Sequence, residues 1–323
     1  MREESVITAL AYRDAMTTSD EHLEQALREY NEKVNALEDG GSPRELLDAY
    51  IHRGCVLYMM GSYVSAATDF GEAVGIITRI ENSGGSVDPG YFVKAYTSRG
   101  MLEIDKSAEA MADDYRIAAT RLKDLKDGSK YYGEKDIVEM CLDCGSDLTE
   151  SEMAEDALPF AEKALSLLVG KDDAWHRNRY AETCALEGQI YMDTEDFVRA
   201  AEMFDEAVRV AEDLLEEDSL EDVMELVNAC VFRGDLAENA DDTEGYLRYM
   251  NRAIDLMEDL MEKNRLDDVS VLAELHGEVA QVYMKANDMK TAEKHLLRQV
   301  SINLSGADDY MSENGIDGSG RDD

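Results

Sequence analysis

Apolar and small residues recur along this chain at helical spacing, and the recurrence itself repeats. In "RGCVLYMMGSYVSAATDFGEAV", residues 53 to 74, Gly54 precedes Ala66 by twelve residues, and Ala73 and Val74 follow seven and eight later. The frame returns as Gly100, Ala112 and Ala119; as Gly145, Ala157 and Ala164 with Leu165; and as Gly188, Ala200 and Ala207 with Val208. It continues as Gly234, Tyr246 and Ala253 with Ile254, then as Ala280, Ala292 and Gln299 with Val300. From Gly54 onward the units start 46, 45, 43, 46 and 46 residues apart, and Asp14, Ala26 and Val34 fit a seventh more loosely. A fixed period of this length marks a repeat array. Between the small site and the second alanine the pattern predicts helix, turn and helix, crossing where Gly and Ala remove side-chain bulk.

Aromatics ride on this frame: Tyr63 with Phe70, and Phe197 with Phe204, are expected to fill volume between units. Gly54, Gly61, Tyr63, Ala66, Phe70 and Ala73, repeated as Gly188, Tyr191, Phe197, Ala200, Phe204 and Ala207, resemble the tetratricopeptide repeat. The likeness covers most of residues 46–303 and is weak where Arg116 or Ala161 stands in place of the aromatic. The period exceeds the family's usual unit of about 34 residues and falls in the range of HEAT and armadillo arrays. The paired small sites favour tetratricopeptide units with lengthened helices, the extra residues following the second helix as in "GIITRIENSGGSVDPG". The reading is an all-α, right-handed α-solenoid of six or seven antiparallel helix pairs. Residues 1–45 are assigned to a degenerate or capping N-terminal pair, 46–305 to the array and 306–323 to a disordered acidic tail.

Composition narrows the partner. With 32 basic against 72 acidic residues the net charge is −40, which repels phosphate backbones and anionic lipid and excludes nucleic acid and membrane. The charge is uneven: residues 51–100 hold four acids and four bases, residues 201–250 sixteen acids and three bases. Only three prolines occur, as long helices require. No apolar run reaches the roughly 18 to 20 residues of a bilayer span. The opening "MREESVITALAYRDAM" carries early charges and no cleavable apolar core, so no secretory signal is expected. Five cysteines then read as free thiols of a cytoplasmic protein.

Candidate chemistry is sparse. Cys141 and Cys144 form one CxxC pair without the second pair a structural zinc site needs, and with Cys184 and Cys230 they fall at core positions of the frame. His22, His52, His176, His276 and His295 are scattered without a motif partner, and Asp172 with Asp173 or Asp241 with Asp242 lie in loops. No catalytic residue, cofactor or metal is expected. Arg53, Arg99 and Arg233 each precede the small glycine, as Arg13 does in the loose first unit, where the family usually has an apolar residue. A guanidinium at a helix crossing needs a partner, which predicts a ladder of Arg to Asp or Glu pairs; a row of anion-binding arginines is the rival.

The resemblance implies that peptides are held on the inner face of the first helices. Read three residues before and one after each small site, with positions one turn further, that face comprises Ile51, Cys55, Tyr58, Thr97, Met101, Ile104, Leu142, Gln189, Met192 and Val231. Its methionines suit an amphipathic helix or short apolar peptide with neutral or basic flanks. No lysine or asparagine stands at the positions read, which argues against a clamp for carboxylate-terminated chaperone tails. The expected function is a non-catalytic protein-binding scaffold or adaptor. Two alternatives stay open: an acidic sequestering or chaperone protein that masks a basic partner, and an enzyme whose site assembles only in space.

Overall fold

The computed structural model describes residues 20–104, 106–266 and 268–313, with side chains as far as residue 304. Among these residues the chain forms thirteen α-helices, one short 3-10 turn and no strand. They divide into two compact units, Met1–Gly170 with Gln189–Glu195, and Lys171–Gly188 with Asp196–Asp323. The first holds α1 (Asp20–Glu38), α2 (Pro43–Met59), α3 (Tyr63–Asn82), α4 (Pro89–Met101), α5 (Ala108–Ala119), α6 (Glu134–Glu150) and α7 (Ala154–Leu168). The boundary runs through α8 (Ala174–Asp193), and the second unit continues with α9 (Phe197–Glu216), α10 (Val223–Asn239), α11 (Thr243–Glu262), α12 (Ser270–Lys285) and α13 (Met289–Glu313).

From α2 onward these are the six expected helix pairs, and the small site of each pair lies on its first helix. The first of these helices starts at Pro43, where proline at the first helical position gives up only an N–H that no helix uses. The helix α1 carries Ala26 and Val34 of the loose unit, and Asp14 lies outside the described residues. Side-chain caps recur where second helices begin: Asp196 accepts from Arg199 N and Asp242 from Gly245 N. In five of the six pairs the residue seven past the small site takes positive φ: Gly61, Glu152, Glu195, Asp241 and Asn287. These left-handed residues close the first helices as Schellman caps, with Ser62 N donating to Leu57 O at 2.8 Å and Asp242 N to Ala237 O at 2.8 Å.

The crossing itself is a small-to-large lock. A Cβ placed on Gly54 would lie 2.7 Å from the Phe70 ring, on Gly100 2.7 Å from Tyr115, on Gly188 2.8 Å from Phe204 and on Gly234 2.9 Å from Met250. Phe70, Tyr115, Phe160, Phe204 and Met250 are all fully buried. The second and third pairs therefore do not lack the aromatic: Tyr115 and Phe160 supply it one position earlier than Arg116 and Ala161. Tyr63 and Phe197, by contrast, are half exposed at the first positions of α3 and α9 and fill no interior volume.

Second helices are also tied laterally. Arg252 of α11 grips Glu212 of α9 through two hydrogen bonds of 2.6 Å, Arg116 of α5 reaches Asp156 of α7 at 2.8 Å, and Arg298 of α13 holds Glu258 of α11. The boundary expected at Gly306 is not a helix end, since α13 runs to Glu313; residues 314–323 lie outside the described residues. No helix among the described residues is long and apolar enough to cross a membrane.

Candidate functional site

Of the ten residues assigned to the groove, nine fall in the first unit, and Val231 falls in the second. Ile51, Thr97 and Leu142 are buried, and Thr97 Oγ1 donates back to Val93 O at 2.9 Å. They present no surface to a partner. Cys55, Tyr58, Met101, Gln189, Met192 and Val231 keep part of their surface, and Ile104 lies in the turn after α4, a helix of only 13 residues.

The first unit also builds a wall that periodicity does not announce. The segment 126–133, "KDGSKYYG", reaches back to α2, where Tyr131 Oη donates to Asp48 Oδ1 at 2.7 Å across 83 residues of sequence. Tyr91 Oη donates to the same oxygen at 3.2 Å, and Lys130 and Lys33 lie 3.3 and 3.4 Å from that carboxylate. His52 Nδ1 donates to the Asp48 carbonyl oxygen, 2.8 Å away, and its ring stacks on Tyr30. Burial alone would raise the Asp48 carboxyl, but His52, Tyr131 and the two lysines together hold it below its ordinary value. Burial pushes His52 down and the Tyr131 phenol far up, so the imidazole is neutral and the phenol inert near pH 7. These are three perturbed groups in one place, the arrangement an enzyme reading asks for, yet what they do here is dock a loop. Tyr131 itself sits at φ 71°, uncommon for a bulky residue, and a Cβ on Gly90 would collide with the Lys130 carbonyl. Only glycine lets the loop backbone lie against the first turn of α4.

Docking Tyr131 places its neighbour. Tyr132 closes a cavity of about 50 Å³ that is lined by Lys94 and Thr97 of α4 and by Asp136, Glu139, Met140, Asp143 and Cys144 of α6. Its hydroxyl is buried, the residue being only 4 % exposed, and makes no hydrogen bond. Thr97 acts on it electrostatically but does not stand at hydrogen-bond geometry. A buried polar group without a partner is rare and costly, and it marks a place where water or a ligand atom belongs. The floor combines Met140 and Cys144 with this oxygen, while three carboxylates and one lysine stand around it. Lys94, six residues before Gly100, escaped sequence reading because only positions nearer the small site were considered.

Elsewhere Arg53, Arg99 and Arg233 are paired within the fold. Arg53 pairs with Asp69 through two bonds of 2.7 Å and Arg99 with Asp114 through bonds of 2.7 and 2.5 Å, which is the expected ladder. Arg233 instead reaches back to Asp205 of α9 at 2.8 Å and lies over the Tyr249 ring. Cys141, Cys144, Cys184 and Cys230 are buried and free, and burial raises all four thiols. In the second unit His276 and His295 face each other at 2.9 Å between Nδ1 atoms, and His276 Nε2 is 3.0 Å from Glu258. Among the described residues no group of three His, Cys, Asp or Glu side chains is arranged to hold a metal. The second unit also crowds carboxylates: burial, Glu278 and Glu238 push Asp235 up to about 6, and burial with Glu182 pushes Glu225 up to about 7.

An array of antiparallel helix pairs with small-to-large crossings and left-handed turns defines a helical-repeat protein. No family model and no curated protein matches the chain. Solved structures do match, and the likeness is one of fold. The C-terminal part of a TPR repeat-containing protein from Cytophaga hutchinsonii is 14 % identical, with 88 % of this chain and 95 % of that one covered at a TM-score of 0.53. Aspartyl phosphate phosphatase F from Bacillus subtilis is 12 % identical over 90 % of this chain and 77 % of its own, at 0.52. The apo form of RapI is 14 % identical over 68 % and 73 %, at 0.50. The chain has the tetratricopeptide-repeat fold.

Proposed function

We propose that this chain is a non-catalytic, cytoplasmic protein-interaction scaffold whose first unit holds an amphipathic partner segment along α2, α4 and α6. The observation that carries the reading is the buried Tyr132 hydroxyl without a hydrogen bond, at the floor of a cavity between α4 and α6. Its volume suits the tip of one side chain. A lysine fits the chemistry. Its alkyl shaft lies against Met140 and Cys144, its ammonium donates to Tyr132 Oη and Thr97 Oγ1, and the surrounding carboxylates balance its charge. The partly exposed Cys55, Tyr58 and Met101 extend an apolar surface for neighbouring partner residues.

Peptide display against the full chain tests this. Enriched peptides should be apolar with one lysine at a fixed position. Tyr132→Phe should weaken a selected peptide about tenfold, the scale of one hydrogen bond, and Met101→Glu should abolish it. Enrichment of acidic or carboxylate-terminated peptides, or hits indifferent to both substitutions, would sink the reading.

A second reading rests on the crowded carboxylates of the second unit, where Asp235 stands with Glu238 and Glu278. A basic partner masked by that surface would dissociate steeply as salt rises, whereas a peptide anchored by apolar contacts would respond modestly.

A further inference from the structure

The first unit holds a second cavity, which shares no lining residue with the one under Tyr132. It measures about 420 Å³ and opens to the surface between α1, α2 and α4. That is the small end of the roughly 300 to 1,000 Å³ of ligand sites. Leu37 of α1 and Tyr91 of α4 line it with apolar surface, while Lys33 of α1 and Arg44, Glu45 and Asp48 of α2 bring two charges of each sign.

These charges are not equivalent. The Asp48 carboxylate is spent within the fold, since Lys33 and Lys130 stand beside it and Tyr91 and Tyr131 donate to it. Arg44 is held in place by a bond from Nη2 to the Ser86 carbonyl at 3.1 Å, which anchors the guanidinium without neutralising it. Among the described residues neither Arg44 nor Glu45 has an ion-pair partner. The cavity therefore offers an uncompensated cation and an uncompensated anion beside an apolar wall.

Such a rim selects by exclusion. An anion alone meets Glu45, a cation alone meets Arg44 and Lys33, and the net charge of −40 turns polyanions away. A zwitterion with an apolar body satisfies every group, and opposite charges on neighbouring residues suit a molecule whose own two charges stand on one carbon atom. We infer that this cavity holds a free α-amino acid with an apolar side chain. Its carboxylate accepts from Arg44 with Lys33 near by, its ammonium donates to Glu45, and its side chain lies between Leu37 and Tyr91.

Calorimetric titration of the full chain with L-phenylalanine at neutral pH tests this, and saturable binding is expected. L-Phenylalanine amide, which lacks the carboxylate, and N-acetyl-L-phenylalanine, which lacks the ammonium, should each bind at least about tenfold more weakly. Glycine, which lacks the apolar body, should not bind. Arg44→Gln should weaken phenylalanine at least about tenfold yet leave the affinity of the amide where it was, and Glu45→Gln should do so for the acetylated form. Both residues are exposed, so the fold tolerates either change, and unchanged thermal melts check it. Tyr132→Phe should have no effect, which keeps this test apart from that of the peptide groove. No binding at about 10 mM phenylalanine, an amide or acetylated form that binds as well as phenylalanine, or an affinity indifferent to Arg44→Gln and Glu45→Gln would overturn the proposal.

Discussion

The two units share one packing device and differ in almost every polar choice around it. Gly54 against Phe70 in the first and Gly188 against Phe204 in the second meet at nearly the same separation. The residue before the glycine is Arg53 or Arg99 in the first unit, each paired with an aspartate on its own second helix, or the buried Cys144; in the second it is the buried Glu187, or Arg233 reaching back to the preceding pair. Outside, the first unit mixes lysine, histidine and tyrosine around Asp48, whereas the second gathers acids that push one another's protons on. Steric fit at the crossing fixes the repeat, and the polar layer beside it is free to diverge because any satisfied arrangement serves.

The arginines give the sharpest break of that comparison. Asp69 is buried, so Arg53→Met leaves a carboxylate stranded and should cost roughly 3 to 5 kcal/mol. Asp205 is half exposed, and Arg233→Met should cost about 1 kcal/mol or less. Urea unfolding of the two variants checks the contrast. Adding Asp69→Leu to Arg53→Met should recover most of the loss, and failure to recover it would mean that the stem of Arg53, not its charge, matters.

The small sites should break both units alike. Gly54→Leu and Gly188→Leu force a side chain into a ring 2.7 or 2.8 Å from the first added atom, and each should destabilise by about 1 to 3 kcal/mol. Hydrogen exchange should place the loss in α2 and α3 for the first and in α8 and α9 for the second. Equal protection to the parent in either would remove that crossing from the frame.

What could be read in the sequence was local and periodic: the helix pairs, the small sites, the arginine ladder and the cysteines as core. What could not was set by geometry beyond one period. Tyr131 meets Asp48 through the loop between α5 and α6, and only the fold shows that Tyr132 is thereby held over α4 and α6. The aromatic of the second pair was looked for at Arg116 because a shift of one residue between helices is invisible to a fixed spacing. Ile51, Thr97 and Leu142 look groove-facing on a helix wheel but are buried, because the packing angle between helices is not encoded in any single helix.

The smallest expected effect concerns protons. Glu225 is pushed up to about 7 by burial and by Glu182, with Asp222 and Glu221 adding to it and Arg179 opposing. Its folded pKa therefore lies above that of the unfolded chain. The folded state binds the proton more tightly, so this contribution to stability is complete below about 4.5 and is lost as pH rises through about 7. Asp235, pushed up to about 6, acts in the same direction between its ordinary 3.8 and that value. His276 and His295 act oppositely: burial lowers both, so their contribution is present above the ordinary 6.5 and is lost as pH falls below it. A pH scan of the parent mixes the two signs, and substitution separates them. Glu225→Gln should raise the melting temperature at pH 8 by about 2 to 4 °C, the scale of about 1 kcal/mol, with the gain shrinking towards pH 5. The added protection should appear in α10 and leave α2 to α7 unchanged, since Glu225 lies on α10. A gain of equal size at pH 5 and pH 8 would show that the substitution acts through packing, not through the carboxylate.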